Sequence, residues 1–299
     1  MTTSFSPHSP FYTRLLRNSG DAQPVSSLEF PRVTIVTPSL NQDSSLERTI
    51  LSVLNQHYPN LEYIVIDGGS TDNSVEIIRR YAPYLAYWVS EPDRGQAHAV
   101  NKGWEKSTGA IYAFLNADDA YLPGVLIKIA DLFATRPNLG MVYGDSLFVD
   151  DQGHTLGIKR GCALTYKQLL FRGQSGIIQP TCFFRGSVVS KVGYLDESLF
   201  MGFDYDFILR VTQHTEILYL PAMLAVTTYN QKIKSFMYPE RFHAENRKIA
   251  SRYERHLFLC HRWNAAKFRL LRMLPTSLEH CFRRWRNSIE DRIILEKDP

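Results

Sequence analysis

The chain carries only four cysteines in 299 residues, Cys162, Cys182, Cys260 and Cys281, spaced 20, 78 and 21 positions apart. No Cys-x-x-Cys pair exists, which excludes a zinc-type ligand spacing and a dithiol redox motif and leaves free thiols in a reducing compartment as the expectation. No Asn-x-Ser/Thr acceptor occurs. Long apolar runs are missing too: the longest stretch without a formal charge, Ile217 to Gln231, is interrupted by Pro221 and Asn230. It falls short of the roughly 20 apolar residues that a membrane-spanning helix requires. The first thirty residues mix Pro, Ser, Thr and Arg with no apolar block before a small-residue cleavage site, so no secretory leader is expected. Gly-x-Gly-x-x-Gly is absent after the first apolar run, which argues against a nicotinamide dehydrogenase. Pro38-Ser39-Leu40-Asn41 is also unlike the basic, glycine-containing loop that a nucleotidyltransferase places there.

What is present is an ordinary apolar fraction of 44% and a net charge of +4 that conceals an asymmetry. The segment from Lys232 to Arg286 holds 14 Lys/Arg against 4 Asp/Glu, a local balance of +10. From Val33 to about Ala134 the chain repeats one pattern. Short β-branched runs (Val33 to Thr37, Leu61 to Ile66, Leu85 to Ser90, Ala110 to Leu115) alternate with helical patterns of 10 to 14 residues. Such alternation predicts right-handed crossovers and a largely parallel sheet, with ligands bound outside the carboxyl ends of its strands. Beyond Val142 the rhythm changes. Asp150 to Gly153 reads as a hairpin turn between short strands, Ile177 to Phe184 and Glu216 to Pro221 as strands, Thr165 to Phe171 and Asp204 to Gln213 as helices, with long helical patterns from Tyr238.

Acidic groups collect in the loops after the apolar runs. Asn116-Ala117-Asp118-Asp119 leaves the fourth run directly, where adjacent carboxylates suit Mg²⁺ or Mn²⁺ shared with a substrate phosphate, or simply decorate a helix N-terminus. Asp67 ends the second run before Gly68-Gly69-Ser70-Thr71-Asp72, a tight turn with a helix cap; Asp67 itself can accept hydrogen bonds from a base or ribose. Glu91 to Gln96 is either a solvated turn or a binding loop in which Gly95 admits a ligand close to the backbone. Asp204 and Asp206 open a helix, where a capping acid and a catalytic acid look alike.

The order and wording of these segments, VTIVTPSLNQ, IDGGSTDNS, SEPDRGQAHAVNKG, LNADD, IIQPTCFFR and FDYDFILR, resemble the family 2 glycosyltransferases over Val33 to about Tyr229. The resemblance implies a GT-A fold, an α/β architecture whose mostly parallel central sheet is flanked by helices around a Rossmann-like nucleotide-binding half. It implies that Thr37, Pro38, Ser39 and Asn41 line the nucleotide pocket, that Asp67 holds the base, and that Asp93 and Gly95 complete the nucleoside side. Asn116 to Asp119 stands where the family's DxD metal motif would be, with Asn116 replacing its first acid. Asp118 would contact ribose or metal and Asp119 would be the direct ligand of a divalent cation, Mg²⁺ or Mn²⁺. The base is carried onto Asp204, with Asp206 as fallback, although Phe203 stands where the family usually has Glu. Gln179 resembles an acceptor-side residue. The Gln-x-x-Arg-Trp signature of processive members is missing, since Leu259 and Cys281 occupy the Gln positions before Trp263 and Trp285.

The implied activity is an inverting, single-sugar transfer from a nucleoside-diphosphate-sugar to a saccharide or lipid-linked acceptor in surface polysaccharide or glycolipid assembly. A non-catalytic sugar-nucleotide-binding or scaffold protein of the same fold is the alternative. Residues 1–31 are expected to be a flexible arm, 32–230 the catalytic domain and 231–299 a basic helical extension. Arginines and lysines alternate with aromatics through residues 260–290, as in amphipathic helices that lie on anionic membrane surfaces or, equally, in helices covering a domain. No nucleic-acid module accompanies the charge. The expected location is cytoplasmic, reaching the inner face of the membrane if that segment binds it.

Overall fold

A computed structural model describes residues 30–172, 177–229 and 237–253. The first half alternates as expected: β1 (Val33–Ser39), α1 (Leu46–Leu54), β2 (Leu61–Asp67), α2 (Ser74–Tyr81), β3 (Tyr87–Ser90), α3 (Gln96–Lys106) and β4 (Ile111–Phe114). There follow β5 (Ala120–Tyr121), α4 (Val125–Thr135), β6 (Leu139–Val149), β7 (Thr155–Lys159), α5 (Tyr166–Arg172), β8 (Phe183–Arg185), α6 (Gly186–Val192), α7 (Phe203–Thr212), β9 (Glu216–Thr228) and α8 (Pro239–Tyr253). They build one sheet in the order β3-β2-β1-β4-β8-β6-β9-β5, with β7 paired to β6. The long pairings β1 with β2 and β6 with β9 are parallel, whereas β8 and β5 join by short antiparallel ones. The sheet is thus mostly parallel, as expected.

Helices cover both faces. Along β1, β2 and β4 successive side chains point to opposite sides, so Val33, Ile35, Val65 and Ile111 enter one core while Val36, Ile64, Tyr112 and Phe114 enter the other. Both faces are buried, which explains why these strands read as continuous apolar runs. The first core is closed by α1, α2 and α4 through Ile50, Ile78 and Ile129; the second by α3, α5, α6, α7 and α8 through Trp104, Leu169, Val189, Phe207 and Ile249. Burying each such side chain contributes about 1.5–3 kcal/mol.

The later half departs from the sequence expectation in three places. β6 is an eleven-residue strand where only short strands were expected, though its turn at Asp150 to Gly153 into β7 is as read. Within 177–184, Pro180 starts a 3-10 turn at Gln179–Thr181, leaving only β8 as strand before α6, a helix the sequence reading omitted. β9 runs through Pro221 to Thr228, tolerating the missing N–H by shifting register against β6 between Tyr143 and Ser146.

α8 shares the second core through Ile249 and Ala250, both fully buried. Of the arm expected over residues 1–31, residues 1–29 lie outside the described residues, as does the basic segment 260–290. Cys162 and Cys182 are free thiols. No helix among the described residues is long and apolar enough to cross a membrane.

Candidate active site

Strand ends β1 to β4 deliver their loops to one edge of the sheet. Thr37 and Pro38 are buried within β1, and the Thr37 hydroxyl lies 3.0 Å from the buried Tyr63 hydroxyl. Ser39 is 4% exposed and its hydroxyl has no partner. Asn41 adopts a left-handed conformation (φ 53°), which asparagine tolerates better than most residues. Its amide N–H donates to Ser70 Oγ (2.8 Å) and its Oδ1 accepts from the Thr71 N–H (2.9 Å), stitching the first loop to the second.

Asp67 is fully buried at the end of β2. Its Oδ2 accepts from the Gly69 N–H (3.1 Å), the Ser70 N–H (2.8 Å) and Ser90 Oγ (2.7 Å), and its Oδ1 from Ser70 Oγ. Three of the four bonds fall on Oδ2 and one on Oδ1, so this side chain braces the second loop against the third while Oδ1 keeps one acceptor site. Asp93, half-buried, holds the Gly95 N–H through Oδ1 (2.7 Å). Its Oδ2 lies over Gly68, where an added Cβ would sit only 2.5 Å away. Gly95 has φ 118°, a conformation that side chains other than glycine rarely adopt.

The fourth loop is the most heavily networked. Asn116 Oδ1 accepts from Gln96 Nε2 (2.6 Å), while its Nδ2 donates to Asp119 Oδ2 (3.3 Å) and Gln179 Oε1 (3.2 Å). Gln179 in turn donates to the Phe114 carbonyl (2.9 Å), so the 3-10 turn is pinned against β4. Asp119, 3% exposed, takes the Thr228 N–H on Oδ1 (3.2 Å). Arg48 Nη2 donates to the Asp118 carbonyl (2.7 Å) and to Thr228 Oγ1 (2.8 Å), and its buried Nε has no partner. Burial pushes the Asp119 carboxyl well above its ordinary range, with the neighbouring Asp118 charge adding to the rise; burial likewise raises Asp118.

These two carboxylates fit a hard divalent cation. They are oxygen donors whose charge is incompletely compensated by nearby groups, so a cation would stabilise their ionised forms. No group of three or more His, Cys, Asp or Glu able to hold a metal occurs among the described residues, so the remaining ligands would come from water and substrate.

Asp204 and Asp206 separate on α7. Asp204 is half-buried in the first turn, accepts from the Tyr205 N–H (2.8 Å), and its charge reaches Lys159 on β7 and Cys182 just past the Gln179 turn. Asp206, 3% exposed, points instead toward α8: it accepts from Arg210 Nε (3.0 Å) and Tyr253 Oη (3.0 Å), with Arg252 Nη1 at 3.4 Å. Arg48, Thr49 and Thr228 are site residues that the sequence reading missed. Thr49 Oγ1 bonds the Asp119 carbonyl at 2.7 Å, and nothing local in sequence marks a contact between residues 48 and 228.

Comparison with known proteins agrees with this architecture. A family description, Glycosyl transferase family 2, matches residues 34–193. An uncharacterized glycosyltransferase of Mycobacterium tuberculosis is 32% identical over 182 residues, covering 60% of this chain and 68% of that protein. A PGL/p-HBAD biosynthesis glycosyltransferase of Mycobacterium bovis is 26% identical over 205 residues, 67% of this chain and 77% of its own. Among solved structures, a Pyrobaculum calidifontis mannosyltransferase in complex with GDP-Man and Mn²⁺ superposes with a TM-score of 0.59 at 20% identity, covering 93% of this chain and 86% of that one. Staphylococcus aureus TarS 1-349 with UDP-GlcNAc gives 0.57 at 18% identity, covering 73% of this chain and 65% of that one. With its GT-A fold and more than half of its length matched, the chain belongs to glycosyl transferase family 2 and is a glycosyltransferase enzyme.

Proposed function

We propose that this enzyme transfers one sugar, with inversion, from a nucleoside-diphosphate-sugar to an acceptor hydroxyl. The observation that carries the reading is the Asn116 network: it joins the third loop (Gln96), the carboxylate pair and the Gln179 turn, and that turn runs on to Cys182 within electrostatic reach of Asp204. Donor-side and base-side groups are therefore built on one connected framework. In the proposal Ser39, Asn41, Asp93 and Gly95 face the nucleoside, while Thr37, Pro38 and Asp67 shape that pocket from beneath. The first two are buried, and the Asp67 carboxylate is braced by its own loops with one acceptor site of Oδ1 left for the base.

Asp119 and Asp118 would hold Mg²⁺ or Mn²⁺, which when bound offsets the negative charge that develops on the departing diphosphate. Asp204 takes the proton of the acceptor hydroxyl as its oxygen bonds to the anomeric carbon and the carbon–oxygen bond to the diphosphate breaks. The Lys159 side chain on β7 lies within electrostatic reach of Asp204. Gln179 lines the acceptor side. A saccharide or lipid-linked acceptor in polysaccharide or glycolipid assembly suits the pathway named for the mycobacterial relative. Cytoplasmic residence and contact with an anionic membrane through 260–290 belong to the same reading, and pelleting with anionic liposomes at low salt tests the latter.

The test is nucleoside diphosphate release over a panel of UDP- and GDP-sugars with Mn²⁺ or Mg²⁺. General-base assistance is worth about 10²- to 10⁴-fold, so Asp204→Asn is expected to lose that much kcat and keep its donor affinity. Full turnover by Asp204→Asn, or undiminished transfer by the parent in excess chelator, would refute these assignments.

A further inference from the structure

We infer that Arg48 is a positioning residue for the divalent cation: together with Thr228 it fixes the backbone of the Asp118-Asp119 loop so that both carboxylates can serve as ligands, a role that rests on the metal assignment proposed above. The loop has little regular structure of its own to hold it. It leaves β4 after Phe114 and enters β5, a strand of two residues that pairs with β9 only through Ala120 and Tyr121. What holds it instead is a polar row on α1. Arg48 and Ser52, with Gln56 just past the end of the helix, recur at every fourth position and so share one side, with Thr49 beside them. Each meets the next backbone group of the passing segment. Arg48 Nη2 donates to the Asp118 carbonyl (2.7 Å) and Thr49 Oγ1 to the Asp119 carbonyl (2.7 Å). The Tyr121 N–H donates to Ser52 Oγ (3.1 Å), and Gln56 donates to the Leu122 carbonyl (2.9 Å) while accepting the Val125 N–H on Oε1 (3.0 Å). The leading end of the row therefore sets the path of the main chain through both acids.

Thr228, the last residue of β9, closes a clasp from the other side. Its Oγ1 accepts from Arg48 Nη2 (2.8 Å) and donates to the Asp118 carbonyl (2.5 Å), so that carbonyl has both of its lone pairs engaged. The Thr228 N–H donates to Asp119 Oδ1 (3.2 Å). Two residues 180 positions apart thus hold the main chain of the first acid and a carboxylate oxygen of the second.

Arg48 is also the charged member of the row. Gln56 shows that a neutral side chain can brace 122–125, yet at position 48 a guanidinium stands with its enclosed Nε unpartnered, an unfavourable arrangement. The guanidinium meets the loop at its main chain, through the Asp118 carbonyl and Thr228, and its charge reaches both carboxylates from there. Charge and positioning consequently predict opposite signs for its removal. Deleting a positive charge beside two carboxylates would by itself favour a cation. Releasing the loop would weaken the cation site by about 10- to 100-fold, the range for partners that stand behind metal ligands.

Titration of the full chain with Mn²⁺, read from the electron paramagnetic resonance signal of the free ion with and without UDP or GDP, tests the inference. The parent is expected to bind Mn²⁺ and Asp119→Asn to lose it. Arg48→Met should weaken Mn²⁺ binding about tenfold or more, and Arg48→Lys, which keeps the charge and a donor, should recover part of the loss. Thr228→Val should weaken binding in the same way, while Thr228→Ser, which keeps the hydroxyl, should stay within about twofold of the parent. Gln56→Leu separates positioning from general stability: it should lower the melting temperature yet keep Mn²⁺ affinity within about twofold. Should Arg48→Met fail to fold, the two Thr228 variants decide. Undiminished or tighter Mn²⁺ binding in the Arg48→Met or Thr228→Val protein that folds, or an equal loss in Gln56→Leu, overturns the positioning role and leaves the metal assignment standing. A parent that ignores Mn²⁺ even with either nucleotide present overturns the metal assignment and the positioning role with it.

Discussion

Removal of Glu245 gives the sharpest test of how α7 is held. Three backbone N–H groups just ahead of that helix point at one carboxylate from α8: Phe200 N–H to Oε1 (2.8 Å), Met201 N–H to Oε2 (2.7 Å) and Gly202 N–H to Oε2 (2.8 Å). The helix has no side-chain cap of its own, so Glu245 performs that office from another element and places negative charge at the positive end of α7. Gly202 permits the approach, because a Cβ there would sit 2.5 Å from Ile249 Cδ1. Charge-assisted bonds contribute about 1.5–3 kcal/mol each, but three bonds sharing one half-exposed group are not additive. A loss of about 3 kcal/mol for Glu245→Ala is therefore expected. For a domain of this size that lowers Tm by about 6–12 °C in a calorimetric scan. Because Asp204 follows Gly202 by two residues, kcat should fall with little change in donor KM, and Glu245→Asp should recover part of both losses. A Tm change below about 2 °C, or equal damage to donor binding and turnover, would refute the capping argument.

The Asp118-Asp119 pair makes stability depend on pH in a direction opposite to that of an ordinary salt-bridged acid. Burial raises the folded carboxyls, so their contribution is in place below the unfolded value of about 3.9 and is lost as pH rises through the folded values; metal-free protein should melt lower at neutral pH than under mild acid. Added Mn²⁺ should restore the neutral-pH melting temperature, and Asp119→Asn should flatten both effects; a metal-free profile that rises with pH through that window would contradict the reasoning. At Gly68 an alanine must displace Asp93, whose Oδ2 occupies the space of the new Cβ. Donor KM should rise about fivefold or more with melting nearly unchanged, and an unaltered donor KM would show that Asp93 does not face the nucleotide.

The four loops at the sheet edge were legible because β1, β2 and β4 are buried and read as continuous apolar runs, while the partly exposed edge strand β3 is recognised from its alternation with helices. Past residue 142 that regularity ends. β6 hides its length because polar Asp145 and Ser146 interrupt it, and β9 hides its own because a proline sits inside a strand. Both are decided by long-range pairing, each strand supplying the other's partners through an irregular register. The roles of Asp204 and Asp206 could not be separated from sequence, since two positions apart on a helix places them on different sides and only α8 reveals which side is occupied. Arg48 had no local signature either, because its partners lie 70 and 180 residues away.

The two places where the sequence departs from its family's pattern acquire a physical reading from the same contacts. Asn116 stands where an acid is usual, yet it needs both faces of an amide: Oδ1 receives Gln96, and Nδ2 donates toward Asp119 and Gln179. An aspartate there would bring a third negative charge beside two carboxyls already raised by burial and would turn an acceptor toward Gln179 Oε1. Phe203 stands where a glutamate is usual and is 5% exposed, its ring 6.4 Å from that of Phe114 on the sheet. The position has become core, and the acid at the head of α7 is supplied across the fold by Glu245. In this chain one position has become a hydrogen-bonded hub and the other part of the core. Glu245 on α8 thereby ties residues on either side of position 231, accepting from the three N–H groups just ahead of α7.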